Sequence, residues 1–187
     1  MATTKIAIVG AHRDTKLLAP YDDAAWAVWS LSMFNESELP RHDVWFELHA
    51  RTELELFGPV YLEWLRQLPL VYMQAAWPEY PGSRRYPLNL VKDEFGPYFF
   101  SGSISYLLAL AILEQPDTIG LWGISPCPEM IHQKPSLWHF IAEADRRGIE
   151  VIAPPELLDP PPLYGWEISD YREVLSGHAA EKRVADG

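Results

Sequence analysis

The sequence predicts an α/β fold: a single Rossmann-like domain with a mostly parallel sheet and helices on both faces. Three observations point there. Short apolar or β-branched runs recur along the chain, each stopped by Gly, Ser, His, Gln or Pro. Helical patterns lie between several of these runs, which implies crossover connections and parallel pairing. The runs also lack clean polar alternation, as expected of strands covered on both faces.

Lys5-Ile6-Ala7-Ile8-Val9, ending in Gly10, reads as a buried first strand and a tight turn. Further strands are expected over residues 25–29, 44–48, 70–73, 118–122 and 149–152. A helix is expected over 61–68, where Leu62, Leu65 and Leu68 recur at three-residue spacing. A second, over 103–114, is apolar nearly all round, as befits a helix packed deep on a sheet. A third, over 135–147, opens with Pro135 and stops at Gly148. Residues 77–98, rich in Pro, Arg and aromatics, read as a long functional loop with one short helix near 88–94. The run Pro160-Pro161-Pro162 marks the end of the compact part. The expected division is a nucleotide-binding, transferase-like domain over 1–165 and a C-terminal helix and tail over 166–187.

Composition narrows the class. The 187 residues suit one domain, and 48% are apolar, enough for a substantial core. The formal charge of -11 disfavours generic nucleic-acid binding. A single cysteine, Cys127, excludes an intrachain disulfide framework, and its Pro126 and Pro128 neighbours suit a small loop residue. The start of the chain carries no secretory apolar stretch, and the apolar run 104–113 is too short to span a bilayer. The expectation is a cytoplasmic protein with no membrane partner.

Open parallel sheets bind ligands beyond the carboxyl ends of their strands. Polar residues at those expected ends therefore mark a candidate site: Gly10, His12 and Arg13, then Ser30 and Ser32, then Glu47, Gln74, Gly123 and Ser125. His49, which ends the third strand, reads as structural. Ser101, Gly102 and Ser103 open the most apolar helix, where a cap leaves backbone donors suited to an anion. Arg84 and Arg85 are an adjacent pair able to clamp a phosphate, and His132 with Lys134 precedes the Pro135 helix. Gly10 stands without the further spaced glycines of a dinucleotide fingerprint, and no Gly-Lys-Ser/Thr motif occurs. No metal is expected, since His12, Glu47, His49 and His132 lack ligand spacing. No cofactor is firmly implied.

Several blocks, taken in order, resemble a known fold family. Ile6-Ala7-Ile8-Val9-Gly10 is similar to its opening strand and turn. Phe100-Ser101-Gly102-Ser103, leading into Leu107-Leu108-Ala109-Leu110-Ala111, is similar to its Ser-Gly nucleotide-binding helix. Thr118-Ile119-Gly120-Leu121-Trp122-Gly123-Ile124 resembles its next strand, and His132-Gln133-Lys134 its His-x-Lys element. The family is the bacterial sialyltransferase-like fold, with the related 6-hydroxymethylpterin pyrophosphokinase-like proteins and short phage-encoded proteins of that type. The resemblance implies a nucleotide or nucleotide-sugar ligand, with phosphates near Ser101-Gly102 and the Gly10 turn. It also implies that His132 is the general base toward an acceptor hydroxyl. The family turn, Gly-x-Gly-Pro-Ser, is replaced here by Gly10-Ala11-His12-Arg13-Asp14, and Ser125 stands where the family often has Asp. Two functions are therefore expected in competition: a glycosyltransferase-like, nucleotide-dependent transferase, and a non-catalytic nucleotide-binding protein serving as sensor, sponge or interaction module.

Overall fold

A computed structural model describes residues 4–125 and 133–158. Seven strands form one sheet: β1 (Lys5–Val9), β2 (Trp26–Leu31), β3 (Val44–Glu47), β4 (Val71–Met73), β5 (Ser83–Arg85), β6 (Thr118–Trp122) and β7 (Glu150–Ile152). Their order is β5-β4-β3-β2-β1-β6-β7, and every neighbouring pair is parallel. The chain thus winds outward from β1 to β5, returns across the sheet, and adds β6 and β7 on the other side of β1. The winding direction reverses between β1 and β6, which pair from Lys5↔Thr118 to Val9↔Trp122.

The helices are α1 (Arg13–Lys16), α2 (Arg51–Leu54), α3 (Pro59–Gln67), α4 (Leu88–Phe95), α5 (Ser103–Leu113), α6 (Lys134–Arg146) and α7 (Pro155–Leu158). Because successive strand residues point to opposite faces, β1 splits its side chains between two cores. Ile6 and Ile8 join the cluster built by α5 and α6. Ala7 and Val9 face the other way, with Tyr21, Trp26 and Val28. Further along that second face, Trp45, Val71 and Met73 pack with Tyr61 and Leu65 of α3. The doubly covered, mostly parallel sheet is the architecture expected from the sequence. The all-round apolarity of α5 follows from its place: it packs against the sheet, α4 and α6, and residues 107–112 are buried.

The main difference lies in residues 77–98. The short helix expected near 88–94 is α4, but the edge strand β5 stands where only loop was expected. Ser83–Arg85 shows no apolar signal because it is an edge strand with Arg84 and Arg85 exposed. The segment is also anchored: Tyr80 and Tyr86 are buried, and the Tyr86 hydroxyl donates to the Tyr106 carbonyl at 2.8 Å. The short helices α1, α2 and α7 are single turns without a readable period. The expected boundary at 165/166, the tail beyond it and Cys127 lie outside the described residues. Among the described residues, no helix is long and apolar enough to cross a membrane.

Candidate functional site

Two cavities open side by side along the carboxyl edge of the sheet. The first, of about 390 Å³, lies at the reversal between β1 and β6. Gly10 and His12 line it from one side, Gly123 and Ser125 from the other, with Ser32 and Lys134 completing its polar rim. Leu31, Phe34, Ile104 and Leu137 supply an apolar floor and walls. The second, of about 540 Å³, lies beyond β3, β4 and β5. His49, Glu53, Gln74 and Arg85 line its polar side, with Ser101, Gly102 and Ser103 from the start of α5. Tyr86, Phe100 and Tyr106 form an aromatic wall: Tyr106 lies edge-on to Tyr86 at 5.5 Å and tilted against Phe100 at 4.8 Å. Ser103 lines one cavity and Ile104 the other, so the first turn of α5 is their common wall.

The reversal is held by backbone. The Gly10 amide donates to the Trp122 carbonyl at 2.8 Å, and the His12 amide to the Gly123 carbonyl at 2.8 Å. Beneath the turn lies a buried polar network. The Asn35 side-chain amide donates to the Gly10 and Leu31 carbonyls, both at 3.0 Å, and to the Ser30 hydroxyl at 3.3 Å. The Ser30 hydroxyl in turn donates to the Val9 carbonyl at 2.9 Å. The Lys16 ammonium, 2% exposed, donates to the Phe34 carbonyl at 3.2 Å, to Asn35 Oδ1 at 3.0 Å and to Glu38. A buried ammonium requires such compensation. The Lys16 hydrogen bond and charge hold the Glu38 carboxyl below the usual carboxylate range.

Ser32, at the end of β2, has φ +81°, a left-handed conformation unusual for a residue with a side chain. Its hydroxyl accepts from the Phe34 amide at 3.3 Å, closing the turn that follows. Strain of this kind persists where the surroundings over-determine the backbone, and it concentrates at ligand-binding edges.

A second polar chain supports the larger cavity. Glu47, 2% exposed, accepts from the Tyr61 hydroxyl at 2.7 Å through Oε2. Its Oε1 lies 2.6 Å from His49 Nδ1 and also accepts from the His49 amide at 3.2 Å. Tyr61 in turn accepts from the Trp45 indole at 3.1 Å. Burial, with the Glu47 carboxylate beside it, pushes the Tyr61 hydroxyl pKa far up, so Tyr61 stays a donor.

The residues singled out from the sequence therefore divide. Gly10, His12, Ser32, Gly123, Ser125 and Lys134 meet at the smaller cavity. Gln74, Arg85, Ser101, Gly102 and Ser103 meet at the larger one. Ser30 and Glu47 are buried beneath the edge and act on backbone and neighbouring side chains. Arg13 is exposed at the start of α1. Arg84 and Arg85 are consecutive on a strand and so leave it on opposite faces; Arg85 lines the larger cavity and Arg84 does not. His132 lies outside the described residues. Gln133, which the sequence reading passed over, lines the smaller cavity, and its side chain packs over Gly102. His49 lines the larger cavity, although the strand-end reading treated it as structural. His49 lies two residues beyond the end of β3, where the chain bends, and its ring turns back to the Glu47 carboxylate. Among the described residues, no group of three or more His, Cys, Asp or Glu gathers as metal ligands would.

Fold and edge together define a single Rossmann-like α/β domain with a two-chambered cleft at its reversal point. The fold is similar to that of the sialyltransferase CstII from Campylobacter jejuni. The likeness to CstII in complex with the substrate analogue cytidine-5'-monophosphate has a TM-score of 0.56 at 13% identity, covering 80% of this chain and 79% of that one. With CstII bound to CMP-3FNeuAc the TM-score is 0.54, at the same identity and coverage. No protein-family model and no curated protein matches the sequence. The likeness thus establishes a sialyltransferase-like fold.

Proposed function

We propose that the protein is a nucleotide-dependent transferase, glycosyltransferase-like, that takes a nucleotide-sugar donor in the smaller cavity. The observation that carries the reading is the position of that cavity, at the β1/β6 reversal where open parallel sheets take their ligands. Lys134 at the start of α6 and His12 on the opposite rim suit a phosphate; the apolar surface of Leu31, Phe34, Ile104 and Leu137 suits a base. The first turn of α5 stands between the chambers, where its backbone donors would favour negative charge on a leaving phosphate. The aromatic wall of the larger chamber suits a sugar. The CMP-bound state of the structural neighbours supports a nucleotide ligand here by analogy of fold. Transfer to a hydroxyl needs a base, and the family resemblance puts His132 in that role.

The test is a thermal-shift and calorimetric screen against CMP, UMP, UDP, GDP and their sugars, followed by assay of transfer. A ligand at one hundred times its dissociation constant stabilises the native state by about 2.7 kcal/mol, readily seen as a higher melting temperature. Binding of a nucleotide without transfer from any donor would favour the non-catalytic reading, which the replaced Gly10–Asp14 turn and Ser125 also favour.

A further inference from the structure

We propose that the larger cavity is the acceptor chamber of this transferase and that His49, oriented by Glu47, takes the proton from the acceptor hydroxyl. The proposal rests on the transferase reading and moves the base from His132 to His49.

The geometry is that of a carboxylate–imidazole pair. The Glu47 carboxylate is buried, while the His49 side chain is 47% exposed and lines the cavity. Oε1 of Glu47 meets Nδ1 of His49 at 2.6 Å, which fixes the proton on Nδ1. Nε2 lies on the far edge of the ring, away from Glu47, and carries the lone pair. The ring is held edge-on by Phe57 at 4.8 Å. Glu47 cannot swing away, because Tyr61 and the His49 amide hold its two oxygens. Imidazole with one nitrogen held by a carboxylate presents the other in a fixed orientation as a proton acceptor. A bare surface ion pair would need neither the buried acid nor the Tyr61–Trp45 chain behind it.

The position also fits. The donor chamber adjoins this one across Ser103 and Ile104. In the transfer, the acceptor oxygen forms a bond to the anomeric carbon of the sugar while the bond from that carbon to the phosphate oxygen breaks. The nucleotide leaves with its electron pair on phosphate, and the acceptor proton passes to His49 Nε2. Glu47 stabilises the imidazolium until solvent removes the proton. Among the described residues, the other charged groups facing the chamber are Glu53 and Arg85, while Arg51 is paired with Glu79.

Two measurements on the full chain test this. The first is ¹⁵N-histidine NMR with saturating CMP and methyl pyranosides of glucose and galactose as probes. The expected result is a His49 ring whose neutral tautomer carries its proton on Nδ1 and whose signals move on addition of a pyranoside. An Nε2-protonated ring, or a ring indifferent to every pyranoside, overturns the proposal. The second is transfer from the donor found active in the screen. His49→Gln is expected to lower kcat about 100- to 10,000-fold with donor KM nearly unchanged. Because His49 is exposed, this variant leaves the core intact. Full activity in His49→Gln together with loss in His132→Ala overturns this assignment and leaves the transferase reading standing. A wild-type chain inactive with every donor overturns both.

Discussion

Gly10 and Gly123 meet back to back at the β1/β6 reversal: a Cβ on either would lie 2.4 Å from the carbonyl oxygen of the other. Gly123 also has φ +63°, so a side chain there would be strained whatever the space. The two turns interlock through the His12 amide and the Gly123 carbonyl, and the Gly123 amide donates to the Thr15 hydroxyl at 3.1 Å. Two facing sides of the smaller cavity are therefore set by glycines 113 positions apart. Gly10→Ala should destabilise the fold by about 1–3 kcal/mol through overpacking against backbone. Gly123→Ala should cost more, since left-handed strain adds to the clash. Urea unfolding of the two variants measures this, and equal stability to wild type would mean that the turns part freely.

The fold class, the central strands and α5 and α6 were legible because burial writes itself into sequence. Ile6, Ile8, Ile119 and Leu121 need apolar side chains whatever the function. The edge strand β5 was not legible, since Arg84 and Arg85 face water and carry no period. The site was legible as a set of strand ends but not as two chambers. Sequence alone could not tell that Ser30 turns under the edge toward the Val9 carbonyl while Ser32, two residues on, lines the cavity. Nor could it rank His49 above an ordinary strand-end histidine, because the weight comes from Tyr61, 14 positions beyond Glu47.

The Lys16–Glu38 pair should make stability depend on acid. Glu38 has its folded pKa lowered by the Lys16 hydrogen bond and charge. A depressed carboxyl contributes stability that is present above its unfolded pKa, about 4.3, and lost as pH falls through the lower folded value. Glu38→Gln should remove that part of the acid sensitivity, seen in melting temperatures recorded between pH 2 and 7. Lys16→Met is expected to be the harsher change. It strands the buried Asn35 Oδ1 acceptor beneath the turn, at about 1–3 kcal/mol for an unsatisfied buried group.

His42 should act in a second, higher window. Its ring lies edge-on to Trp45 at 5.3 Å and tilted against Trp64 at 5.6 Å, and burial there lowers its pKa. The unfolded chain then binds the proton more tightly than the native one. Stability is full above the unfolded value of about 6.5 and declines as pH falls from there through the folded pKa. His139, stacked on Phe99 at 4.2 Å, is shifted the same way by burial and acts with the same sign. His42→Phe keeps the ring contacts and removes the titration, so its melting temperature should fall less than wild type between pH 7 and 5. Parallel curves would assign the pH dependence elsewhere.

Gly102 offers a way to perturb the common wall of the two chambers. Its φ of -165° is extended backbone open to any residue, so the chain itself tolerates substitution. The space is the constraint: a Cβ would lie 2.1 Å from Gln133 Oε1 and 2.5 Å from Cδ. Because those atoms end a long side chain, Gln133 can move, and the fold should survive Gly102→Val with little loss of stability. The displaced amide, however, lines the donor chamber. Nucleotide affinity is therefore expected to fall about tenfold or more, the equivalent of about 1.4 kcal/mol, while the melting temperature without ligand stays near wild type. Gln133→Ala relieves the clash, so the double variant Gly102→Val with Gln133→Ala should bind no worse than Gln133→Ala alone. Calorimetric titration with CMP separates the cases. If the double variant still falls well below Gln133→Ala, the valine itself obstructs the ligand and Gly102 touches it directly. If Gly102→Val binds as wild type does, the start of α5 stands clear of the nucleotide.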